Sequence, residues 1–123
     1  MADIDVMTAG PVGVSASTRA ALVLDQVSKR YGGVVAARAL DLQVAPGELV
    51  TLIGHSGCGK STTLRLVAGL ERPDDGLISI AGEVVADRRH SQPPERRRVG
   101  LVFQDHALFP HLSVARNIAF GLD

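Results

Sequence analysis

The chain has one cysteine, Cys58, in 123 residues. It can form no internal disulfide, and nothing in it calls for an oxidising compartment. Net charge is also lacking, because thirteen Lys plus Arg balance thirteen Asp plus Glu. That balance removes any general electrostatic reason to expect a nucleic-acid partner, and none is expected. Nowhere do roughly 18 apolar residues run together, so no bilayer-spanning helix is expected. The opening Met1-Ala2-Asp3-Ile4-Asp5 places acid where an export signal carries Lys or Arg, which points to a cytoplasmic location. No internal repeat is visible. The length suffices for one small domain, and a composition 46% hydrophobic and 21% charged suits a globular interior with a solvated surface.

Residues 1–20 are small and weakly patterned, broken by Gly10, Pro11 and Gly13, and read as a flexible leader. Structure is expected from residue 21 onward. Residues 21–27 are rich in apolar and β-branched side chains, as in a strand, and Gly32-Gly33 makes a turn after Tyr31. Leu40, Leu42 and Val44 alternate with polar residues, the period of a half-buried strand. Leu49-Val50-Thr51-Leu52-Ile53 is almost continuously apolar or β-branched, which predicts a parallel strand covered on both faces. After a glycine-rich loop, Leu64, Val67 and Ala68 fall on one helical stripe, and Gly69 ends that helix. Ile78 and Ile80 mark a short strand, turned by Gly82 into another through Val84-Val85. The proline-broken segment 87–98 is polar. Val99-Gly100-Leu101-Val102-Phe103 predicts a second buried strand, and Ser113 caps a helix whose face carries Val114, Ile118 and Leu122. These elements make an incomplete α/β layer, as expected of a piece of a longer protein.

The chemistry concentrates in Gly54-His55-Ser56-Gly57-Cys58-Gly59-Lys60-Ser61, which matches the phosphate-loop spacing in full, between a strand and a helix. A loop that wraps phosphates must turn successive amides inward, and glycine permits the torsions and the close approach this needs. Lys60 supplies a mobile point charge to the β and γ phosphates, and the helix beginning near Ser61 adds free N–H groups. Ser61 is expected to give its hydroxyl to Mg²⁺ and Thr62 to donate to a phosphate oxygen. His55 either touches phosphate or points away from the cradle. Cys58 is either a thiol activated by Lys60 or a small residue packed beneath the loop.

With these residues in view, the chain resembles the ATP-binding subunit of an ABC transporter, the nucleotide-binding domain that powers a membrane permease. The resemblance runs from about residue 21 to residue 123. It rests on Tyr31-Gly32-Gly33, Pro46-Gly47-Glu48, the phosphate loop continued through Thr62-Thr63-Leu64, Ala68-Gly69-Leu70-Glu71-Arg72-Pro73, and Gly76. To these it adds residues 99–104 with Leu108-Phe109-Pro110-His111-Leu112-Ser113-Val114. It implies an α/β fold, a phosphate-loop NTPase core with an antiparallel β subdomain, truncated before the second half of the domain. The implied cofactors are ATP and Mg²⁺. The residue type of Tyr31 alone favours a packed or surface tyrosine, and it is by resemblance that Tyr31 stacks on adenine. Gln104 is implied to reach Mg²⁺ and water near the γ phosphate and to report nucleotide state. Lys60 and Gln104 are thus the residues at the reaction, and Ser61 and Gln104 those at the metal. The implied partners are transmembrane permease subunits, a second nucleotide-binding subunit in a homodimer and, indirectly, a periplasmic substrate-binding protein, at the cytoplasmic face of the inner membrane. Residues 108–112 are implied to dock on the permease, though their leucines and phenylalanine also suit a core. The arrangement is closest to importers of ferric iron, polyamines, sulfate or sugars, with ferric iron favoured.

The departures from that family are specific. No Leu-Ser-Gly-Gly-Gln-like signature segment occurs, no strand ends in paired acidic residues, and His90, His106 and His111 lack the context of the switch histidine. Two other readings stand beside the transporter. One is a phosphate-loop ATPase of DNA repair or translation, for which the run Arg88-Arg89 and Arg96-Arg97-Arg98 offers the support. A solvated loop explains those arginines as well. The other is a nucleotide-binding module without turnover.

Overall fold

The computed structural model describes residues 5–9 (backbone only), 20–54, 59–104 and 108–122. In chain order they form β1 (Asp5–Ala9), β2 (Leu22–Tyr31), β3 (Val34–Val44), β4 (Leu49–Ile53), α1 (Lys60–Ala68), β5 (Asp75–Ile80), β6 (Glu83–Ala86) and α2 (Val114–Ala119). A single 3₁₀ turn covers Pro94–Arg96. Strands β3-β2-β5-β6 make a four-stranded antiparallel sheet, and β1 pairs antiparallel with β4 in a second, two-stranded one. The fold is mixed α/β, with a phosphate-loop-like strand–loop–helix core beside an antiparallel sheet.

The sheet forms where apolar residues at alternate positions can share one face. Leu24 and Val27 of β2, Ile78 of β5, and Val85 and Ala86 of β6 close a core with Leu66 of α1. Burying Leu66, Leu24 and Ile78 contributes about 1.5–3 kcal/mol each before the entropy of ordering is counted. The helix therefore faces the sheet with Thr62, Thr63, Leu66 and Ala68. The expected stripe of Leu64, Val67 and Ala68 is only partly right, since Leu64 is 49% exposed.

β2 carries a bulge at Gln26, whose φ is 52°. The Asp41 carboxylate, across on β3, accepts the Gln26 amide at 2.9 Å and its side-chain nitrogen at 2.5 Å. These bonds, the backbone one foremost, hold the Asp41 carboxyl below the usual carboxylate range. Gly76, at φ 89°, lies against the same bulge, and a Cβ there would come within 2.3 Å of the Gln26 carbonyl oxygen.

Arg97 is the unexpected residue of the core. Instead of lining a solvated loop with its neighbours, it is 3% exposed. Its Nη1 donates to the Leu66 and Val67 carbonyls at 2.8 and 3.3 Å, its Nε to the Gln92 carbonyl at 2.8 Å and its Nη2 to Ser91 Oγ at 2.8 Å. A helix end leaves carbonyls without intrahelical donors, and Arg97 supplies them from the loop after β6. Burial pulls its pKa below the ordinary guanidinium value. Gly69 caps the same helix end at φ 89°, with the Leu70 amide donating to the Arg65 carbonyl at 2.9 Å. A Cβ on Gly69 would stand 2.7 Å from Arg97 Nε, so the glycine also makes room for the arginine.

Three expectations are corrected. Residues 5–9, placed in a flexible leader, form β1. β4 is not a parallel strand covered on both faces. It pairs antiparallel with β1, and Leu49 and Ile53 are 68% and 41% exposed. Residues 99–103 form no strand, and Val102 is 84% exposed. These corrections share a cause. An apolar run becomes a buried strand only where a neighbour satisfies its backbone and another layer covers it, and neither condition is local. The helix after Ser113 does form, with Ser113 Oγ accepting the Arg116 amide at 3.2 Å and Asn117 bonding back to the Phe109 carbonyl and amide. Its apolar positions Val114 and Ile118 are 78% and 77% exposed.

Arg97→Met is expected to destabilise the chain by about 2–4 kcal/mol in urea unfolding, because buried carbonyls lose a charged donor. Arg97→Lys should restore less than half of that loss, since an ammonium cannot span the same acceptors. Gly76→Ala should destabilise more than Gly69→Ala. Its added methyl meets backbone, whereas at Gly69 it meets a side chain that can shift.

Candidate functional site

The site begins where β4 ends. Gly54 follows Ile53, residues 55–58 lie outside the described residues, and the chain resumes at Gly59, the N-cap of α1. His55, Ser56, Gly57 and Cys58, expected in the cradle, are therefore not placed. Gly59 takes φ 98° and ψ 8°, a left-handed conformation that a β-carbon would oppose. Its carbonyl accepts both the Thr63 amide and Thr63 Oγ1, each at 2.9 Å. Thr63 is 1% exposed, so this pair of bonds fixes the helix start from inside. Lys60 lies in the first turn and its Nζ donates to the Gly54 carbonyl, tying the two ends of the loop together.

A cavity of about 400 Å³ opens at this point. Gly59, Lys60, Ser61 and Thr62 line one side, Tyr31 with Val34, Val35 and Ala36 another, and Gln104 a third. The β2–β3 hairpin brings in the second wall, because its two-residue turn at Gly32-Gly33 pairs Tyr31 directly with Val34. Gln104 arrives at the end of the irregular segment 99–103 and is exposed. Tyr31 and Gln104, far apart in sequence from the loop, thus share one cavity with Lys60, Ser61 and Thr62. The valines and Ala36 were not foreseen, although their place after the glycine turn was a readable signal.

The electrostatics favour an anion with an apolar-tolerant end. Lys60 is the one charged side chain among the described lining residues. The amides of the first turn of α1 have no intrahelical acceptors and lie at the positive end of the helix dipole. At the hairpin end the walls are aromatic and aliphatic, suited to a flat ring. Lys29 Nζ, outside the cavity lining, stands 5.4 Å from the Tyr31 ring centroid. Among the other histidines, His106 lies outside the described residues, and His111 packs edge-on to Phe109 with ring centroids 5.9 Å apart. Among the described residues, no helix is long and apolar enough to cross a membrane.

A strand, a glycine-bounded loop, a lysine at a helix start and a facing aromatic define a nucleotide-binding class of α/β domain. Comparison with known proteins carries this further. Residues 37–121 match the ABC transporter family pattern, and the chain belongs to that family. Domains of this family bind ATP with Mg²⁺. The spermidine/putrescine import ATP-binding protein of Methylococcus capsulatus is 53% identical over 110 residues, covering 89% of this chain and 28% of its own length. The sulfate/thiosulfate import ATP-binding protein of Gloeobacter violaceus is 50% identical over 102 residues, 83% of this chain and 28% of its own. An Fe(3+) ions import ATP-binding protein of Rhodococcus jostii is 51% identical over 102 residues, 83% of this chain and 29% of its own. Among solved structures, a bacterial Atm1-family ABC exporter with ATP bound superposes with a TM-score of 0.65 at 27% identity, covering 94% of this chain and 20% of that one. The chain thus spans under a third of the length of these curated relatives.

Thr63→Val keeps the shape of the side chain and removes one bond to the Gly59 carbonyl. It should lower stability by about 1 kcal/mol, read as a reduced urea midpoint at unchanged slope.

Proposed function

We propose that this chain is the ATP-binding segment of an importer's ATPase subunit, and that the cavity between α1 and the β2–β3 hairpin holds Mg²⁺–ATP. The observation that carries the reading is the convergence of Tyr31, the residues Lys60, Ser61 and Thr62, and Gln104 on one cavity. In this reading Tyr31 stacks on adenine, since an aromatic ring supplies contact area and tolerates the polar edges of a base. The loop residues Gly54, His55, Ser56, Gly57, Cys58 and Gly59 supply the phosphate cradle. Lys60 neutralises the β and γ phosphates, Thr62 donates to a phosphate oxygen, and Ser61 and Gln104 face Mg²⁺.

In the complete transporter the reaction is attack of water on the γ phosphorus, with ADP as the leaving group. Lys60 and the first-turn amides would stabilise charge that spreads over the transferring group, the point where cationic stabilisation contributes most. Gln104 orients the reaction centre and signals its state, and the general base is not assigned to it. The names of the relatives support import. They support the corresponding partners too, namely permease subunits, a second copy of the ATPase and a binding protein, at the cytoplasmic membrane face. For cargo the proposal is ferric iron, which one of the three relatives described above names. The others name polyamines and sulfate or thiosulfate. Deleting the gene and measuring uptake of ferric iron, putrescine and sulfate tests the cargo. Loss of either of the latter with ferric uptake intact rejects iron and leaves the ATPase reading standing.

Equilibrium dialysis against Mg²⁺–ATP tests the binding reading. The chain should bind ATP, and Lys60→Ala should weaken binding at least about tenfold while far-UV circular dichroism is unchanged. In the complete protein, Lys60→Ala should abolish turnover. Gln104→Ala should reduce stimulation by the permease more than it reduces ATP affinity. Near-normal kcat for Lys60→Ala would exclude the proposed role of the lysine.

A further inference from the structure

Lys29 contributes nothing to the core and does not line the cavity, yet it is held in place from three sides. It stands two residues before Tyr31 on β2, so both side chains leave the same face of the strand. Its Nζ lies 5.4 Å from the centroid of the Tyr31 ring, within the range of a cation–π contact. Glu71 and Asp74 flank the ammonium at 3.8 and 4.0 Å, and only 14% of the lysine side chain is exposed. Of the two carboxylates, that of Asp74 is anchored as well. Asp74 turns its other oxygen to the Arg30 amide at 2.7 Å, and its own amide donates to the Ser28 carbonyl at 2.9 Å. The turn between α1 and β5 is thereby moored to β2 on both sides of Lys29.

We infer that Lys29 is a positioning residue for nucleobase binding: it clamps the Tyr31 ring and leaves the ring's cavity side free for adenine. This inference rests on the reading of Tyr31 as the adenine platform. An exposed aromatic at a hairpin tip has open rotamers, and a base stacking on it must first restrict them. A cation fixed over the ring makes that restriction before the ligand arrives. Tyr31 is 41% exposed, so neighbouring packing covers only part of it. Glu71 and Asp74 aim the ammonium. They also offset its charge, so Lys29 adds little to the attraction of the phosphates, which falls to Lys60.

Two ligands separate a base effect from a phosphate effect: Mg²⁺–ATP and Mg²⁺–tripolyphosphate, each titrated by calorimetry into the full chain. Lys29→Met should weaken ATP binding about threefold and leave tripolyphosphate binding unchanged. Lys29→Arg, which keeps a cation over the ring, should retain ATP affinity. In a Tyr31→Ala background, Lys29→Met should have no further effect on ATP. If Tyr31→Ala weakens ATP binding and Lys29→Met does not, the clamp is rejected and the adenine platform stands. If neither substitution affects ATP, the platform itself fails and the clamp with it. Equal weakening of both ligands by Lys29→Met would reduce Lys29 to a structural role and overturn the inference.

Discussion

The buried guanidinium of Arg97 is the interaction on which the rest of the arrangement depends. α1 is short, and helices of its length are not stable alone in water. Its apolar attachment to the sheet is essentially Leu66, with Val67 packed at the margin. Arg97 adds a polar attachment at the other end of the helix from the phosphate loop, bonding the last carbonyls to the segment that follows β6. That segment is itself tied to the sheet, since the Gln92 amide donates to the Val85 carbonyl at 2.7 Å. The helix is thereby held at both ends, by Thr63 on Gly59 at its start and by Arg97 at its finish. A helix so held can present Lys60, Ser61 and Thr62 in a constant direction. The desolvation of a full charge is the cost, offset by four hydrogen bonds.

How much of this was legible depended on whether the information was local. The phosphate loop was readable because its requirement is local: glycines and a lysine at fixed spacing between a strand and a helix. The Gly32-Gly33 hairpin was equally readable, and it carries Tyr31 to the cavity. The buried face of α1 was less so, because Leu64, Leu66 and Val67 are all apolar and several stripes can be drawn through them. Thr63 is polar by type and buried in fact, a combination that becomes reasonable only once the Gly59 carbonyl is seen to accept its hydroxyl. Arg97 could not be told from Arg96 and Arg98 by charge pattern, since the helix carbonyls that draw it inward, those of Leu66 and Val67, lie 31 and 30 residues away. Its burial also breaks up the basic run that is the support for a DNA-repair or translation ATPase. The apolar segment 99–103 misled for the opposite reason: its composition suits a strand, but a strand is a relation between segments.

The two halves of the site differ in rigidity for reasons visible in their packing. The α1 side of the cavity is built on a helix with a fully buried threonine and leucine behind it. The opposite side is a hairpin tip whose Tyr31 and Val34 are exposed and whose order derives from β2–β3 pairing and the charged cluster around Lys29. In the proposed reading, the triphosphate would meet the more firmly supported wall and the base the less firmly supported one. Beyond the site, apolar side chains of residues 102–122 stand in solvent, among them Val102, Leu108, Val114, Ile118 and Leu122. A surface of this composition favours association in water.

Gly69 and Arg97 also impose an order on sequence change. The glycine satisfies two demands at once, a left-handed helix cap and clearance for a side chain that passes over it. A smaller residue at position 97 would remove the second demand and leave the first, so Gly69 would remain tolerable. The reverse does not hold, because any β-carbon at position 69 meets the guanidinium while it is still there. Substitution histories at the two sites should therefore be biased in order: a lineage can lose the arginine and keep the glycine without a new clash, whereas losing the glycine first displaces the arginine from its place over the helix end.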